Sequence, residues 1–88
     1  MLQIQTTKQF EKDVKLCKKR GKDLNKLWKV VETLAEEKDL DPKHKPHMLS
    51  GDWANFWECH IESNWLLIYQ LSETILKLVR TGTHSDLF

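Results

Sequence analysis

Four histidines are the residues of this sequence best suited to proton transfer: His44, His47, His60 and His84. An imidazole titrates near neutral pH, so two of them can serve as general base and general acid in one reaction. Glu58 stands two residues before His60 in a segment that alternates like a strand, and the two side chains therefore share a face. We expect several of these groups to converge on one face of a small sheet.

This set of side chains suits RNA cleavage through the 2′-hydroxyl. A base removes the hydroxyl proton, an acid protonates the leaving 5′-oxygen, and a cation such as Arg80 neutralises charge on the phosphate. An aromatic ring such as Phe88 can stack on a base. The mechanism needs no metal or other cofactor. The spacing of His44 and His47 is that of metal ligands, but no second pair completes a zinc site.

Each of these residues also has an ordinary structural interpretation. His44 fits a surface loop, and His47 fits a loop or capping position. His60 could be a structural strand residue, and His84 could make local hydrogen bonds with its polar neighbours. Cys59 is a poor candidate nucleophile, because no helix N-terminus is predicted nearby to lower its pKa. Composition alone therefore leaves a catalytic and a structural interpretation open.

The size and composition of the chain predict one soluble domain spanning residues 1–88. Its 88 residues are 40% hydrophobic and carry a formal net charge of +1, which excludes a disordered or strongly cationic protein. No apolar run is long enough to cross a membrane, and the N-terminus does not resemble a signal peptide. Cys17 and Cys59 are too few for a disulfide scaffold, so we expect reduced thiols and a cytoplasmic location.

Positive charge is concentrated in the first half of the chain. Residues 1–47 hold twelve Lys and Arg against eight Asp and Glu, whereas residues 48–88 hold two against five. A solvated helix face is the ordinary interpretation of such a block. An interaction with RNA phosphates is the functional one. The candidate RNA-binding residues are the lysines of the first predicted helix: Lys12, Lys15, Lys18 and Lys19.

The first part of the chain predicts a strand followed by a helix. Leu2 and Ile4 alternate with polar residues, which is typical of a short strand. Two threonines can then cap a helix whose apolar stripe comprises Phe10, Val14 and Cys17. A glycine a few residues after this stripe is the expected end of the helix.

A second helix is predicted immediately afterwards. Asp23 can cap it, and apolar residues keep helical spacing across residues 24–35. Trp28 lies on this apolar stripe and is expected in the core. The segment before Pro42 ends the helix, because the residue preceding a proline is pushed out of the helical region. Two helices with so short a connection form an antiparallel hairpin.

The second half of the chain predicts three strands, at residues 56–62, 65–69 and 75–80. Short turns join them, so neighbouring strands must run antiparallel. The predicted order is β-α-α-β-β-β. The fold class is then α+β, with two helices packed on one face of a mainly antiparallel four-stranded sheet. The other face is left for solvent or a ligand.

Four motifs follow one another in this half: H-x-L-x-G-x-W from His47, E-C-H-I from Glu58, W-L-L-I-Y from Trp65, and R-x-G-T-H-x-x-L-F from Arg80 to Phe88. With this ordered series the chain resembles the YafQ branch of the RelE-type toxins, over essentially its whole length. These are bacterial ribonuclease toxins of type II toxin–antitoxin pairs. The resemblance implies a RelE-like β-α-α-β-β-β domain.

The resemblance also implies a function. The family cleaves mRNA in the ribosomal A site, leaves a 2′,3′-cyclic phosphate, and so inhibits translation. A cognate antitoxin would be the protein partner, and operator DNA would be contacted only through that antitoxin. No membrane is involved. Carried over by position, the site residues are the active-site histidines His47, His60 and His84, the acidic Glu58, the phosphate-contacting Arg80 and the base-stacking Phe88.

Two positions depart from the family pattern near these residues. Trp57 stands where the family usually has arginine, and Asn64 stands where it usually has an aspartate implicated in activity. Asparagine keeps the shape but cannot accept a proton as a carboxylate does. Both departures predict reduced activity. They leave open an alternative, a catalytically weakened toxin that acts as an antitoxin-binding module in an operator complex. A generic RNA-binding domain would explain the lysines but not the ordered C-terminal motif.

Overall fold

The computed structural model describes every residue from Met1 to Phe88 and contains three helices and one five-stranded sheet. The strand order is β1-β5-β4-β3-β2, and only the β1–β5 pair is parallel. Two short 3₁₀ turns interrupt the central loop, at Pro42–His44 and Gly51–Trp53. The elements are β1 Gln3–Thr6, α1 Lys8–Lys19, α2 Leu24–Ala35, β2 His47–Met48, β3 Trp57–Glu62, β4 Trp65–Leu71, β5 Ile75–Gly82 and α3 His84–Leu87.

The predicted α+β class and element order are confirmed, with two additions. The sheet has five strands rather than four, because His47–Met48 in the predicted loop pairs with β3. The C-terminal tail forms the four-residue helix α3. Both additions are too short to show a hydrophobic period in the sequence. No helix of the structure combines the length and the apolar character that a membrane span requires.

The ends of both long helices follow from local side-chain chemistry. The Thr7 hydroxyl accepts a hydrogen bond from the backbone N–H of Phe10, and Asp23 accepts one from the N–H of Asn25. Gly21 follows α1 with a φ of +79°, as expected for a residue that ends a helix. The helix α2 ends at Ala35, several residues before the predicted proline stop.

The main core lies between the helices and one face of the sheet. Phe10 and Leu27 from the helices pack in one cluster with Trp65, Leu67 and Tyr69 from β4, all at most 1% exposed. The prediction for Trp28 was wrong: 41% of this residue is exposed. Its indole meets Phe10 of α1 edge-on, with ring centroids 6.4 Å apart, and the rest of the residue faces solvent.

A smaller cluster lies on the opposite face of the sheet. Leu66 and Ile68 of β4 are fully buried there beside Leu87 of α3. Trp53 and Phe56 pack against them from the loop before β3. The sheet face that was predicted to be open is therefore partly covered. One of the covering segments is α3, which also carries His84.

Candidate active site

The strand β3 divides its side chains between the two faces of the sheet. Glu58 and His60 lie on the face away from the long helices, whereas Trp57 and Cys59 pack with the main core. Glu58 is only 6% exposed, and its Oε1 lies 3.9 Å from Nε2 of His60. A nearly buried carboxylate thus stands beside an imidazole that retains 21% side-chain exposure.

The two-residue strand β2 brings His47 to the same carboxylate. His47 pairs in register with Glu58, and its Nε2 lies 3.4 Å from Glu58 Oε1. The other ring nitrogen, Nδ1, lies 2.9 Å from the carbonyl oxygen of Lys45 and must donate to it. His47 can then donate to Glu58 through Nε2 only when its imidazole is protonated. Glu58 Oε1 therefore lies between two imidazoles, within 4 Å of Nε2 of each.

The helix α3 places His84 at its first position. The hydroxyl of Thr83 accepts from the N–H of Asp86, and the Asp86 carboxylate accepts from the N–H of Thr83, which forms a capping box. The ring centroids of His84 and His60 are 6.1 Å apart. This separation leaves space for a reacting group to contact both imidazoles.

Asn64 fixes the orientation of His84. Its Oδ1 lies 3.2 Å from the backbone nitrogen of His84 and 3.1 Å from Nδ1 of the same residue. With the amide oxygen accepting, Nδ1 carries the proton, and Nε2 remains as the nitrogen available to a substrate. The residue that replaces the family aspartate is thus in direct contact with a predicted catalytic histidine.

Aromatic rings line the C-terminal side of these histidines. Phe88 is 57% exposed, and its ring lies 6.5 Å from that of His84. Trp53 meets Phe88 edge-on at 5.8 Å and Phe56 at 5.3 Å. Phe88 therefore has a supported ring with a free surface on which a base could stack. Trp53 also packs against the smaller cluster, so it links that cluster to the ring of Phe88.

Arg80 is held by α1 and makes no hydrogen bond to the histidines. Its Nε and Nη2 donate to the two carboxylate oxygens of Asp13, at 2.8 and 3.2 Å. The hydrogen bonds that Arg80 donates to this carboxylate raise the pKa of Arg80 above its usual value. Asp13 is 6% exposed and also accepts from the backbone N–H of Thr81. Sequence reasoning missed Asp13; the available signal was an acidic residue within the apolar stripe of α1.

The predicted RNA-binding lysines share no contact with the histidines. All four are exposed on α1 and none forms an ion pair: Lys12, Lys15, Lys18 and Lys19. The helix thus presents a face of free positive charge to solvent, defined here as the lysine face. Its opposite side holds Asp13 and packs on β5.

The remaining departure from the family, Trp57, lies away from this group. Its ring stacks on Tyr69 at 6.5 Å with an angle of 16° between the ring planes, on the side of the long helices. An arginine at this position would not project toward His60 from the strand. Burial raises the pKa of the neighbouring Cys59 thiol to about 12, so this sulfur is a poor nucleophile.

The whole chain can be compared with known proteins. The family model for the bacterial toxin YafQ of type II toxin–antitoxin systems matches residues 2–88. The chain belongs to the YafQ toxin family. The mRNA interferase toxin YafQ of Escherichia coli strain K12 is 42% identical over 86 residues, which cover 97% of this chain and 94% of that protein.

Solved structures of bacterial toxins have the same fold. The toxin in the crystal structure of the Escherichia coli DinJ-YafQ complex has a TM-score of 0.92 at 41% identity, covering 99% of this chain and 97% of that one. A metal-bound toxin from Helicobacter pylori has a TM-score of 0.94 at 50% identity, covering 100% of both chains. In the present YafQ-family chain no group of three His, Cys, Asp or Glu side chains is arranged to hold a metal ion.

Proposed function

We propose that this YafQ-family toxin is a ribosome-dependent mRNA endoribonuclease that inhibits translation by metal-independent acid–base cleavage. The observation that carries the proposal is the position of His60 and His84, with ring centroids 6.1 Å apart beside a carboxylate and an exposed aromatic ring. The name of the relative from Escherichia coli, an mRNA interferase toxin, supports the same chemistry.

His60 and His84 are the proposed proton-transfer pair. One imidazole removes the proton of a 2′-hydroxyl, whose oxygen forms a new bond to the adjacent phosphorus. The bond from phosphorus to the 5′-oxygen breaks, and the other imidazole donates a proton to that leaving oxygen. The products are a 2′,3′-cyclic phosphate and a free 5′-hydroxyl. Nε2 of His84 suits either role, because Asn64 already occupies Nδ1.

The other site residues have supporting roles in this mechanism. Glu58 orients a neighbouring imidazole or takes a proton itself. His47 contacts phosphate or shares in proton transfer. Phe88 stacks on a base next to the scissile phosphate. Arg80 neutralises phosphate charge. Because Asp13 holds its guanidinium in place and offsets part of its charge, Arg80 would act from a fixed position and with reduced strength.

The proposed partners are an mRNA in the ribosomal A site, ribosomal RNA and a cognate antitoxin. The lysine face would bind RNA phosphates through contacts that weaken with salt. The complex of an Escherichia coli YafQ with DinJ supports an antitoxin partner. Operator DNA would be reached only through that antitoxin. Ribosomes are the proposed site of action, and the cytoplasm is therefore the proposed location of the toxin.

Primer extension on mRNA in a purified translation system tests this proposal. The wild-type chain should cut inside codons, and His84→Ala should abolish the cuts while antitoxin binding is retained. Wild-type cleavage rates in the His84→Ala variant would overturn the assignment.

A second candidate function is a weakened toxin that serves as an antitoxin-binding module. Asn64 favours it, because a neutral amide replaces the family carboxylate at the only side chain bonded to the His84 ring. Absence of cleavage by the wild-type chain, together with tight antitoxin binding and normal growth on induction, would support this alternative.

A further inference from the structure

The fourth histidine, His44, lies next to the candidate active site but has no role in the proposed mechanism. The strand β2 covers only the start of β3, where His47 and Met48 pair with Glu58 and Trp57. The 3₁₀ turn Pro42–His44 packs on the next part of that edge. There, Nδ1 of His44 lies 2.6 Å from the carbonyl oxygen of His60. A side chain thus takes the place of a sheet hydrogen bond at the residue that carries a proposed catalytic imidazole.

The chemistry of this contact fixes the tautomer of His44. A carbonyl oxygen can only accept, so Nδ1 must carry the proton in the neutral ring and also in the charged one. The bond therefore persists whichever charge state His44 adopts. It differs in this respect from the contacts around Glu58, which strengthen when an imidazole becomes protonated.

The backbone at His60 lies next to an irregularity in the sheet. The pairing of β3 with β4 is regular up to His60 and Leu66, and the register then shifts between His60 and Glu62. A bulge of this kind interrupts the ladder and bends the strand, and it often redirects a side chain beside an active site. A donor on the opposite edge limits how far this irregular segment can move.

The turn that presents His44 is itself held in place. Pro42 fixes the start of the turn, and the Asp41 carboxylate accepts from the backbone N–H of Lys43 at 3.0 Å. The backbone N–H of His44 donates to the carbonyl of Asp41 at 2.9 Å. Lys45 closes the turn with a φ of +44°. The imidazole donor is therefore pre-positioned before it meets β3.

We propose that His44 is a positioning residue that holds the backbone of His60, and with it the His60 imidazole, at the separation from His84 that proton transfer requires. This inference rests on the proposed ribonuclease function. His44 does not contact substrate. Its loss should therefore lower kcat and leave KM nearly unchanged.

Two variants separate the hydrogen bond from the volume of the ring. His44→Asn keeps an N–H donor near the position of Nδ1, and His44→Phe keeps the ring but has no donor. In the translation assay we expect kcat to fall about tenfold in His44→Phe, with KM changed less than about twofold, since small displacements of a reacting group have large effects on rate. His44→Asn should recover most of the activity. Lys43→Ala is the matched control, because the Lys43 side chain makes no hydrogen bond.

Either of two results would overturn the proposal: a His44→Phe variant with wild-type kcat, or a His44→Asn variant no better than His44→Phe. A nitrogen–proton NMR spectrum of the histidine rings in the wild-type chain provides a test that needs no variant to fold. A protected Nδ1 proton on His44 is expected, and a ring protonated on Nε2 alone would also refute the proposal. This spectrum remains informative if the wild-type chain fails to cleave mRNA, so the two proposals can fail separately.

Discussion

Asn64 is the predicted departure from the family pattern that contacts a proposed catalytic histidine. Its amide oxygen accepts both from the backbone N–H of His84 and from Nδ1 of the same residue. A carboxylate would keep both hydrogen bonds and add a negative charge beside the ring. Charge-assisted hydrogen bonds are roughly twice as strong as neutral ones. An asparagine at this position therefore keeps the geometry of His84 but holds its ring through a weaker hydrogen bond than a carboxylate would.

We accordingly expect Asn64→Asp to increase mRNA cleavage near neutral pH, by up to about tenfold for a gain of roughly 1.4 kcal/mol. The reason is that a carboxylate would hold the His84 ring in the same orientation through a stronger hydrogen bond. Primer extension with each variant in the purified translation system measures the cleavage rate. For Trp57 the structure changes the expectation drawn from the sequence: its side chain stacks on Tyr69, on the other face of β3 from His60, so Trp57→Arg should give no gain and serves as the control. A gain from Trp57→Arg but none from Asn64→Asp would contradict this account.

Residue types alone predict part of the candidate site. The face shared by Glu58 and His60 follows from strand alternation. His44 and Asp13 could not be predicted in the same way. Their partners are 16 and 67 residues away in the sequence, and one partner is a backbone carbonyl with no side-chain signature. Contacts of this kind depend on the tertiary structure, which the hydrophobic periodicity of a short segment does not reveal.

At the scale of elements, the four-residue helix α3 is the part that depends most on its surroundings. A helix this short is unstable in isolation, because the free-energy cost of fixing its backbone exceeds the stabilisation from the hydrogen bonds of a single turn. Its anchors are the capping box at Thr83, the burial of Leu87 and an ion pair from α1. In that pair Nη1 of Arg20 lies 2.7 Å from Oδ2 of Asp86. The helix α1 thereby supports the segment that carries His84.

The Arg20–Asp86 pair predicts an acid-dependent contribution to stability. The hydrogen bond from Arg20, followed by that from the Thr83 backbone, lowers the pKa of Asp86 to about 2. A carboxyl whose pKa is depressed in the folded state stabilises the fold fully above its unfolded pKa, near 3.9. That contribution is lost as the pH falls through about 2. Because the pair is solvent-screened, we expect Asp86→Asn to cost about 1 kcal/mol near neutral pH.

Urea unfolding of the wild-type chain and of Asp86→Asn at several pH values measures this effect. The difference between their free energies of unfolding should be full at about pH 6 and should shrink between about pH 4 and pH 2. Glu73→Gln, in the turn before β5 and without an ion pair, should show no such trend. A difference that stays constant across the acidic range would argue against the pair as its source.

Hydrophobic periodicity predicts the long elements of this fold and misses the short ones. The twelve residues of α2 show three turns of apolar spacing, so its existence and buried face are readable from the sequence. The two residues of β2 and the four of α3 are fixed by tertiary contacts with β3 and β5. These two unpredicted elements carry His47 and His84. The parts of the fold hardest to predict are therefore the parts that complete the candidate site.

In the molecule as a whole, the sheet separates the main hydrophobic core from the histidines, and the lysine face is separate from both. The net charge is only +1, so long-range attraction to RNA cannot come from the total charge. It must come from local charge. The exposed and unpaired side chains of Lys12, Lys15, Lys18 and Lys19 provide it on α1, away from the histidines.

This separation predicts that ribosome binding and chemistry can be altered independently. In Lys15→Gln with Lys19→Gln, we expect weaker association with ribosomes and a shallower dependence of the binding constant on salt. The slope of log K against log salt should fall by roughly 0.7 to 0.9 for each phosphate that is no longer neutralised. The cleavage rate at saturating ribosome concentration should stay near that of the wild type, because neither lysine contacts the histidines. Ribosome co-sedimentation across a salt series, combined with primer extension, measures both quantities.

Lys77→Gln is the matched control for charge, since Lys77 is exposed on β5 and forms no ion pair. If it changed the salt slope as much as the α1 double variant, the effect would reflect total charge rather than the lysine face. A fall in kcat without a change in affinity would instead mean that α1 acts on the site through Asp13 and Arg20, which reach β5 and α3 from its other side. The salt series thus decides whether α1 binds the ribosome or only supports the histidines.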